Sequence, residues 1–365
     1  MGEFAIMIHP HSTQDLFQTF PTLSHFPRYL VKRTSHFLPP LMIRELSGIH
    51  SPHGKARGNL ILCPLTADQL LILPSRVSLA KIGAGLRKAE KSGAGVIGLD
   101  TLTGFIWNRG ATVAAHCKIS LTTGSRYSLY AALETTRLAA NVMGLQWQKV
   151  SIAILGEGDG AGRICAQWLA RENRYITLWT KDQAGIDQLG REIIYESGVA
   201  LKVTDNYTEA LSKADVVIIT SFSCLEDLPV SLLKPGAVIC DLTPWQTFAA
   251  HISQKRQDVL TLTGGLVDLP GNPAWDPAPD SAPAKIKSEW VEPILLALEK
   301  KYEYFLHKGD MNIRQIEETA RLARRHEVLL SGFYSAEEIL TRTKINKIKE
   351  TALRKKKSGL QGLSM

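Results

Sequence analysis

Cysteine is scarce in this chain and nowhere paired. Cys63, Cys117, Cys165, Cys224 and Cys240 are spread through 365 residues, which excludes a disulfide framework and the close spacing of a zinc site. No metal is expected. Long apolar runs are missing too: nothing reaches the eighteen or so residues of a membrane span, and the N-terminus lacks the basic start and small-residue cleavage site of a secretory leader. A soluble, cytoplasmic protein without a membrane span is expected. Nor does the body carry an excess of charge. Of the net +8, nearly all lies between Arg342 and Met365, where eight basic residues face one acid, Glu350. A nucleic-acid partner is therefore not expected, and residues 341–365 read as a solvated, disordered basic tail.

What is present is a chain of 44% hydrophobic and 21% charged residues, enough for two globular domains. Phe4–His9, Met42–Leu46, Asn59–Cys63 and Gly95–Leu99 read as strands, and Val77–Lys91 has helical periodicity. Strands alternating with helices predict an α/β domain over 1–145. A helix from about Ser125 to Val142 leads into the clearest unit of the sequence. Val150–Leu155 is a strand, Gly156 to Gly162 a glycine-rich turn, Arg163–Glu172 a helix and Tyr175–Trp179 the next strand, a βαβ unit of about thirty residues. Further apolar strands at Asp215–Ile219, Ala237–Asp241 and Val259–Leu262 extend a doubly wound parallel sheet, a Rossmann domain over 146–284. Pro270–Pro283 reads as a loop. Ile286–His307 and Ile313–Leu330 read as C-terminal helices, within 285–340, that pack back on the first domain.

The turn Gly156-Glu157-Gly158-Asp159-Gly160-Ala161-Gly162 satisfies the dinucleotide pattern G-x-G-x-x-A. A pyrophosphate must approach the backbone N–H groups at a helix N-terminus more closely than a Cβ permits. Gly156 would make the tight turn, Gly158 would admit the phosphates, and Ala161 or Gly162 would let helix and strand pack, with Gly160 also a candidate to hold the cofactor. Thr220, after the Asp215–Ile219 strand, is a further candidate for the cofactor. At the tip of the second strand, an acid would read a ribose hydroxyl, whereas a hydroxyl with a cation suits a 2′-phosphate. Thr180 and Lys181 stand there and Asp182 comes late, so NADP is favoured and NAD stays open.

The matching pieces Leu121-Thr-Thr-Gly-Ser125, Gly156–Gly162 followed by Trp168-Leu169, Ala214-Asp-Val-Val217, Leu262-Thr-Gly-Gly-Leu-Val267 and Leu295–Tyr302 fall in a familiar order. From Phe4 to about Phe333 the chain resembles the long-chain acyl-acyl-carrier-protein reductases and the related proteins called predicted amino-acid dehydrogenases. The resemblance implies a reductase acting on a small-molecule or acyl-carrier substrate. It also places a lysine at Lys81, a candidate catalytic residue, and close backbone approach to the nicotinamide at Gly264-Gly265. Two departures matter. The family's nucleophilic cysteine corresponds to Glu289 here, and a carboxylate is a poor substitute for a thiolate. The family's glycine spacing is also displaced. More loosely, a threonine-rich turn before the helix entering a Rossmann domain is similar to the shikimate dehydrogenases, but Gly124 stands where their turn carries a catalytic aspartate.

Thr122, Thr123, Gly124 and Ser125 are therefore candidates for binding substrate, helix capping being the plain alternative for the hydroxyls. Asp100 and His116 read as structural. Cys117 and Cys224 would be nucleophiles only if the fold brought them to substrate. The expected function is direct hydride transfer, by an enzyme using NAD(P), to or from a carbonyl, hydroxy or amino compound without a cysteine acyl-enzyme. An acyl-thioester reductase and a non-catalytic dinucleotide-binding regulator are the alternatives, and a homo-oligomer stays open.

Overall fold

The computed structural model describes the chain except residues 11, 101–102, 105–112, 114–116, 157–159, 182–184, 222–227, 244–246, 277–284, 303–310, 336–337 and 362–365. Two compact units emerge. Unit 1 comprises Met1–Tyr127, Val267–Gly309 and Thr319–Leu329; unit 2 comprises Ser128–Leu266, Asp310–Glu318 and Leu330–Met365. The division differs from the domain limits expected above: the helix α5, Ser125–Met143, begins in unit 1 and continues into unit 2, and residues 285–309 belong with unit 1.

Unit 1 is built on strands β1 Gly2–Ile8, β2 Leu41–Ser51, β3 Gly54–Leu62, β4 Val96–Leu99 and β5 Ser120–Thr122, joined by a late strand, β13, Gly271–Asp276. Their order is β13-β2-β3-β1-β4-β5. The pairs β3–β1, β1–β4 and β4–β5 are parallel, whereas the β2–β3 hairpin and β13–β2 are antiparallel. The segment read as a proline-rich loop thus includes an edge strand. Pro273 is accommodated because the register shifts between Gly271 and Ala274, so no ladder hydrogen bond is demanded of it.

Helix α4, Ser75–Lys91, turns Ser78, Ile82, Gly85, Leu86 and Ala89 inward at helical spacing. Gly85 lets it approach β1, since a Cβ there would lie 2.5 Å from Met7 Sδ. Helix α10, Val291–Glu299, is buried along most of its length. It packs back on this sheet through backbone contacts that bar larger residues: a Cβ on Gly2 would fall 1.8 Å from the Ala297 carbonyl oxygen, and one on Gly54 2.5 Å from that of Leu298. The helix is shorter than expected and closes at Lys300, which has φ +53°.

Unit 2 holds β6 Ser151–Leu155, β7 Tyr175–Trp179, β8 Lys202–Thr204, β9 Val216–Ile219, β10 Val238–Asp241 and β11 Leu260–Leu262, ordered β11-β10-β9-β6-β7-β8 and parallel throughout. Counted from β6, this is the 3-2-1-4-5-6 order of a Rossmann fold. Successive residues of β6 feed separate cores. Ile152 and Ile154 join Leu133, Ala140 and Ile164, while Ala153 and Leu155 join Leu211, Phe248 and Ile252. A strand buried on both faces needs no polar alternation, which is why these strands read as continuous apolar runs.

The basic segment is ordered as a helix through Gln361 rather than disordered. Arg342–Gln361 forms the last helix, α12, because Ile345 and Ala352 are buried, and Ile345 with Ile348 packs into the unit 2 core. Lys355 Nζ also donates to Asp258, a carboxylate with no exposed side-chain surface, at 2.8 Å.

Candidate functional site

In unit 2 the glycine turn falls where the strand order reverses, between β6 and its neighbours β7 and β9. Leu155, the last residue of β6, pairs with Trp179 and Ile219. The next residue, Gly156, donates to the Trp179 carbonyl at 3.0 Å. A Cβ on Gly156 would sit 1.9 Å from Thr220 Oγ1, so the two strand ends close up only with glycine there. Gly160, at φ +51°, opens helix α6, Gly160–Leu169, and Gly162 is buried within it. Gly158 lies outside the described residues. The described residues of the turn suit a pyrophosphate: Gly156 closes the end of β6, α6 opens at Gly160, and no side chain larger than methyl occupies 160–162.

Thr180 is buried and its N–H is bonded to the Thr204 carbonyl at 3.0 Å, whereas Lys181 is exposed. Of the pair read as a phosphate site, Lys181 is the one at the surface; Asp182 is outside the described residues. Gly264 and Gly265 are buried in β12, Gly264–Asp268, where a Cβ on Gly265 would meet Thr135 Oγ1 at 2.6 Å. Close helix packing explains that second glycine.

In unit 1 the carboxyl ends of four adjacent parallel strands bring together His9 after β1, Cys63 after β3, Asp100 after β4 and the turn Thr122–Ser125 after β5. His9 Nδ1 lies 3.0 Å from Asp100 Oδ2 and 3.0 Å from Thr103 Oγ1. The same Asp100 oxygen accepts the His9 backbone N–H at 2.9 Å, and Oδ1 accepts that of Thr103 at 2.8 Å. Burial alone would lower the His9 pKa, but the Asp100 carboxylate and the Cys63 sulfur outweigh it and hold the imidazole protonated well above its ordinary range. Burial likewise opposes ionisation of Asp100, yet the imidazolium and the Thr103 bonds hold its carboxyl below the usual range. Only Asp100 of this pair had been singled out in the sequence, because 91 residues separate it from His9.

The threonine turn is fixed from below. Thr122 Oγ1 donates to Glu292 Oε1 at 2.6 Å and accepts from Gly124 N–H at 3.0 Å. Glu292 Oε2 accepts the N–H groups of Arg126 and Tyr127 at 3.1 and 3.3 Å, capping α5. Thr122 is thus part of the cap, leaving Thr123 and Ser125, whose hydroxyls are 2.9 Å apart, as the turn's outer groups. Glu292 escaped sequence reading; its neighbour Glu289 was singled out, and the Glu289 carbonyl does abut the turn at Gly124.

Lys81 is not on this edge. Its Nζ donates to the Leu38 carbonyl at 2.8 Å, in a surface groove of about 600 Å³ lined by Phe37, Pro40, Leu73, Val77 and Ala84. Burial raises the thiol pKa values of Cys165, Cys240 and Cys117; Cys224 and His116 lie outside the described residues. Among the described residues no group of His, Cys, Asp and Glu is arranged to hold a metal ion, and no helix is long and apolar enough to cross a membrane.

No family model matches the chain. It is 24% identical over 366 residues to the aminotransferase PigE of Serratia sp. (strain ATCC 39006), covering 95% of this chain and 42% of that protein. The chain thus spans less than half the length of this curated relative. Among solved structures, L-tryptophan dehydrogenase from Nostoc punctiforme is similar with a TM-score of 0.39 at 10% identity, over 98% of this chain and 89% of that one. Shikimate 5-dehydrogenase from Listeria monocytogenes, in complex with shikimate and NAD, gives 0.29 at 17% identity, over 36% and 52%.

Proposed function

We propose that the chain is an NADP-dependent oxidoreductase that moves hydride directly to or from a small carbonyl, hydroxy or amino compound. The observation that carries this reading is the glycine turn at the strand-order reversal of the unit 2 sheet, with Gly156 and Gly160 where a side chain would collide or strain. Gly156, Gly160, Ala161 and Gly162 would hold the pyrophosphate, with Thr220 beside them. Lys181 would pair with the 2′-phosphate. Bound there, a reduced nicotinamide supplies hydride. The carboxyl edge of the unit 1 sheet offers the polar groups for substrate, Thr123 and Ser125 among them. Raised thiol pKa values at Cys117, Cys165 and Cys240, and Glu289 in place of the reductase cysteine, favour a route without an acyl-enzyme.

Titrating the protein with NADPH and NADH by quenching of its tryptophan fluorescence tests this. NADPH should bind tighter by on the order of ten-fold or more, since a charge-assisted contact contributes roughly 1.5–3 kcal/mol. Lys181→Ala should remove most of that preference. Absence of binding would overturn the dinucleotide reading; equal affinities unchanged by Lys181→Ala would overturn the assignment to NADP.

A further inference from the structure

The polar edge of unit 1 contains a buried imidazole nitrogen that the described residues leave without a full hydrogen bond. His9 is 95% buried, its Nδ1 is committed to Asp100 and Thr103, and its Nε2 is buried without a geometrically formed hydrogen bond to any of the described residues. A buried polar atom left unpaired costs roughly 1–3 kcal/mol, more when it belongs to a charged group. Such an atom calls for a cause, and a catalytic or ligand-binding role, a bound water or ion, and local strain are the recognised ones.

We propose that His9, braced by Asp100, is the group that binds the oxygen of the substrate, and that this oxygen is an uncharged carbonyl or hydroxyl. Three observations carry the assignment. First, His9, Asp100 and Cys63 follow three neighbouring parallel strands, β1, β4 and β3, at the sheet edge where α/β folds place ligands. Second, this group adjoins the threonine turn. Gly104 follows Thr103, and a Cβ on Gly104 would lie 2.9 Å from Thr123 Cγ2, so the imidazole's partner and the turn are in direct succession. Third, the edge around the ring is partly open, since the Asp100 side chain keeps 14% of its surface exposed and Ser125 is exposed, although the His9 side chain itself keeps 1%.

The charge balance selects the ligand. An imidazolium facing a carboxylate is neutral as a pair, so a second buried anion would carry an uncompensated charge, whereas a neutral oxygen accepts the Nε2–H without that penalty. The Cys63 sulfur lies close enough to the ring to raise its pKa by charge and by a weak hydrogen bond, but it does not meet the geometry of a full hydrogen bond to Nε2, and among the described residues the trio is not arranged as a metal site. Among the substrate classes of the proposed function, this selects carbonyl and hydroxy compounds over amino compounds, because a donor hydrogen bond cannot be made to an ammonium group. The inference rests on that function only for the identity of the ligand as substrate; the binding site stands on unit 1 alone.

Nitrogen-15 NMR of the full chain with labelled histidine, at pH 8, reads the site directly. His9 should show the signature of an imidazolium with both nitrogens protonated, and cyclohexanone, used as a neutral carbonyl probe, should shift the Nε2 resonance saturably. Cyclohexanecarboxylate should leave it in place. His9→Gln should weaken cyclohexanone binding by on the order of ten-fold or more, the cost of about one charge-assisted hydrogen bond, while NADPH affinity, measured on the same sample, stays unchanged. Should that variant fail to fold, Asp100→Asn supplies the second test: loss of the counter-charge should convert His9 to the neutral form and weaken the probe. A neutral His9 in the native protein, or no shift with cyclohexanone, overturns the proposal, as does a shift with the carboxylate alone. Failure of NADPH to bind while the ketone shift persists would overturn the dinucleotide reading and leave the His9 site standing.

Discussion

At the scale of single residues, two glycines separate backbone strain from collision. Gly124 has φ +68°, and a Cβ there would lie 2.0 Å from the Glu289 carbonyl oxygen. Gly185 has φ +73° with nothing within 4 Å of the same added atom. Gly185→Ala should therefore cost only the left-handed conformation, roughly 1–2 kcal/mol. Gly124→Ala must in addition displace the backbone at Glu289, and with it the Glu292 cap on α5, for a total on the order of 3–5 kcal/mol. Urea denaturation of the two variants checks this. Equal midpoints would mean that the turn at Thr122–Ser125 can yield without disturbing residues 289–292.

At the scale of elements, α12 decides whether the basic tail belongs to the fold. Truncation before Arg342 exposes the surface covered by Ile345, Ile348 and Ala352; the fully buried Ile345 alone stabilises by roughly 1.5–3 kcal/mol, and the partly buried Ile348 and the methyl of Ala352 add less. It also deprives Asp258 of Lys355. The truncated protein should melt well below the full chain, whereas Lys355→Ala alone should have a small effect because Arg256 still pairs with Asp258 at 2.9 Å. Calorimetry of both proteins checks the order; a truncation as stable as the full chain would show that the helix only rests on the surface. The same element shows where sequence reading ends. The β6–turn–α6 unit was legible because its signals are local: an apolar strand, glycines at fixed spacing, then a helix. The sign that α12 docks is the spacing of Ile345, Ile348 and Ala352 within a run dominated by lysine and arginine, and its ionic partner Asp258 is 97 residues away from Lys355. The His9–Asp100 pair and the Thr122–Glu292 bond, 170 residues apart, were hidden for the same reason. Each residue is ordinary by itself, and only the strand order of unit 1, with α10 docked on its sheet, makes them neighbours. The edge strand β13 was obscured differently, by a proline that the register shift accommodates.

At the scale of the whole molecule, the buried ionisable groups give stability a pH dependence of definite sign. His9, with its folded pKa raised to about 10, contributes stability that is fully present below its unfolded value of about 6.5 and is lost as pH rises through about 10. Asp100 and Asp258, both lowered to about 2, contribute stability present above the ordinary carboxylate value near 4 and lost as pH falls through about 2. His326 acts in the opposite sense to His9. Burial lowers its pKa, although Glu299 bonds its Nε2 at 2.9 Å while Ser51 Oγ lies 2.6 Å from Nδ1. Its contribution is therefore present above about 6.5 and fades as pH falls below that value. Between pH 7 and 9.5 the His326 and carboxylate contributions are constant, while the buried thiols of Cys117, Cys165 and Cys240, with raised pKa values, add a decline above about pH 8.5 that is common to both proteins, so the difference in slope between the wild type and His9→Gln reports on His9. The wild-type chain should lose thermal stability steadily across that range, and His9→Gln should start lower and decline less. Differential scanning calorimetry at half-unit steps of pH measures both slopes. Parallel slopes would show that His9 is neutral in the folded protein, in which case Nε2 could serve as an acceptor and the oxygen-binding role assigned to it would fail with the charge that supports it.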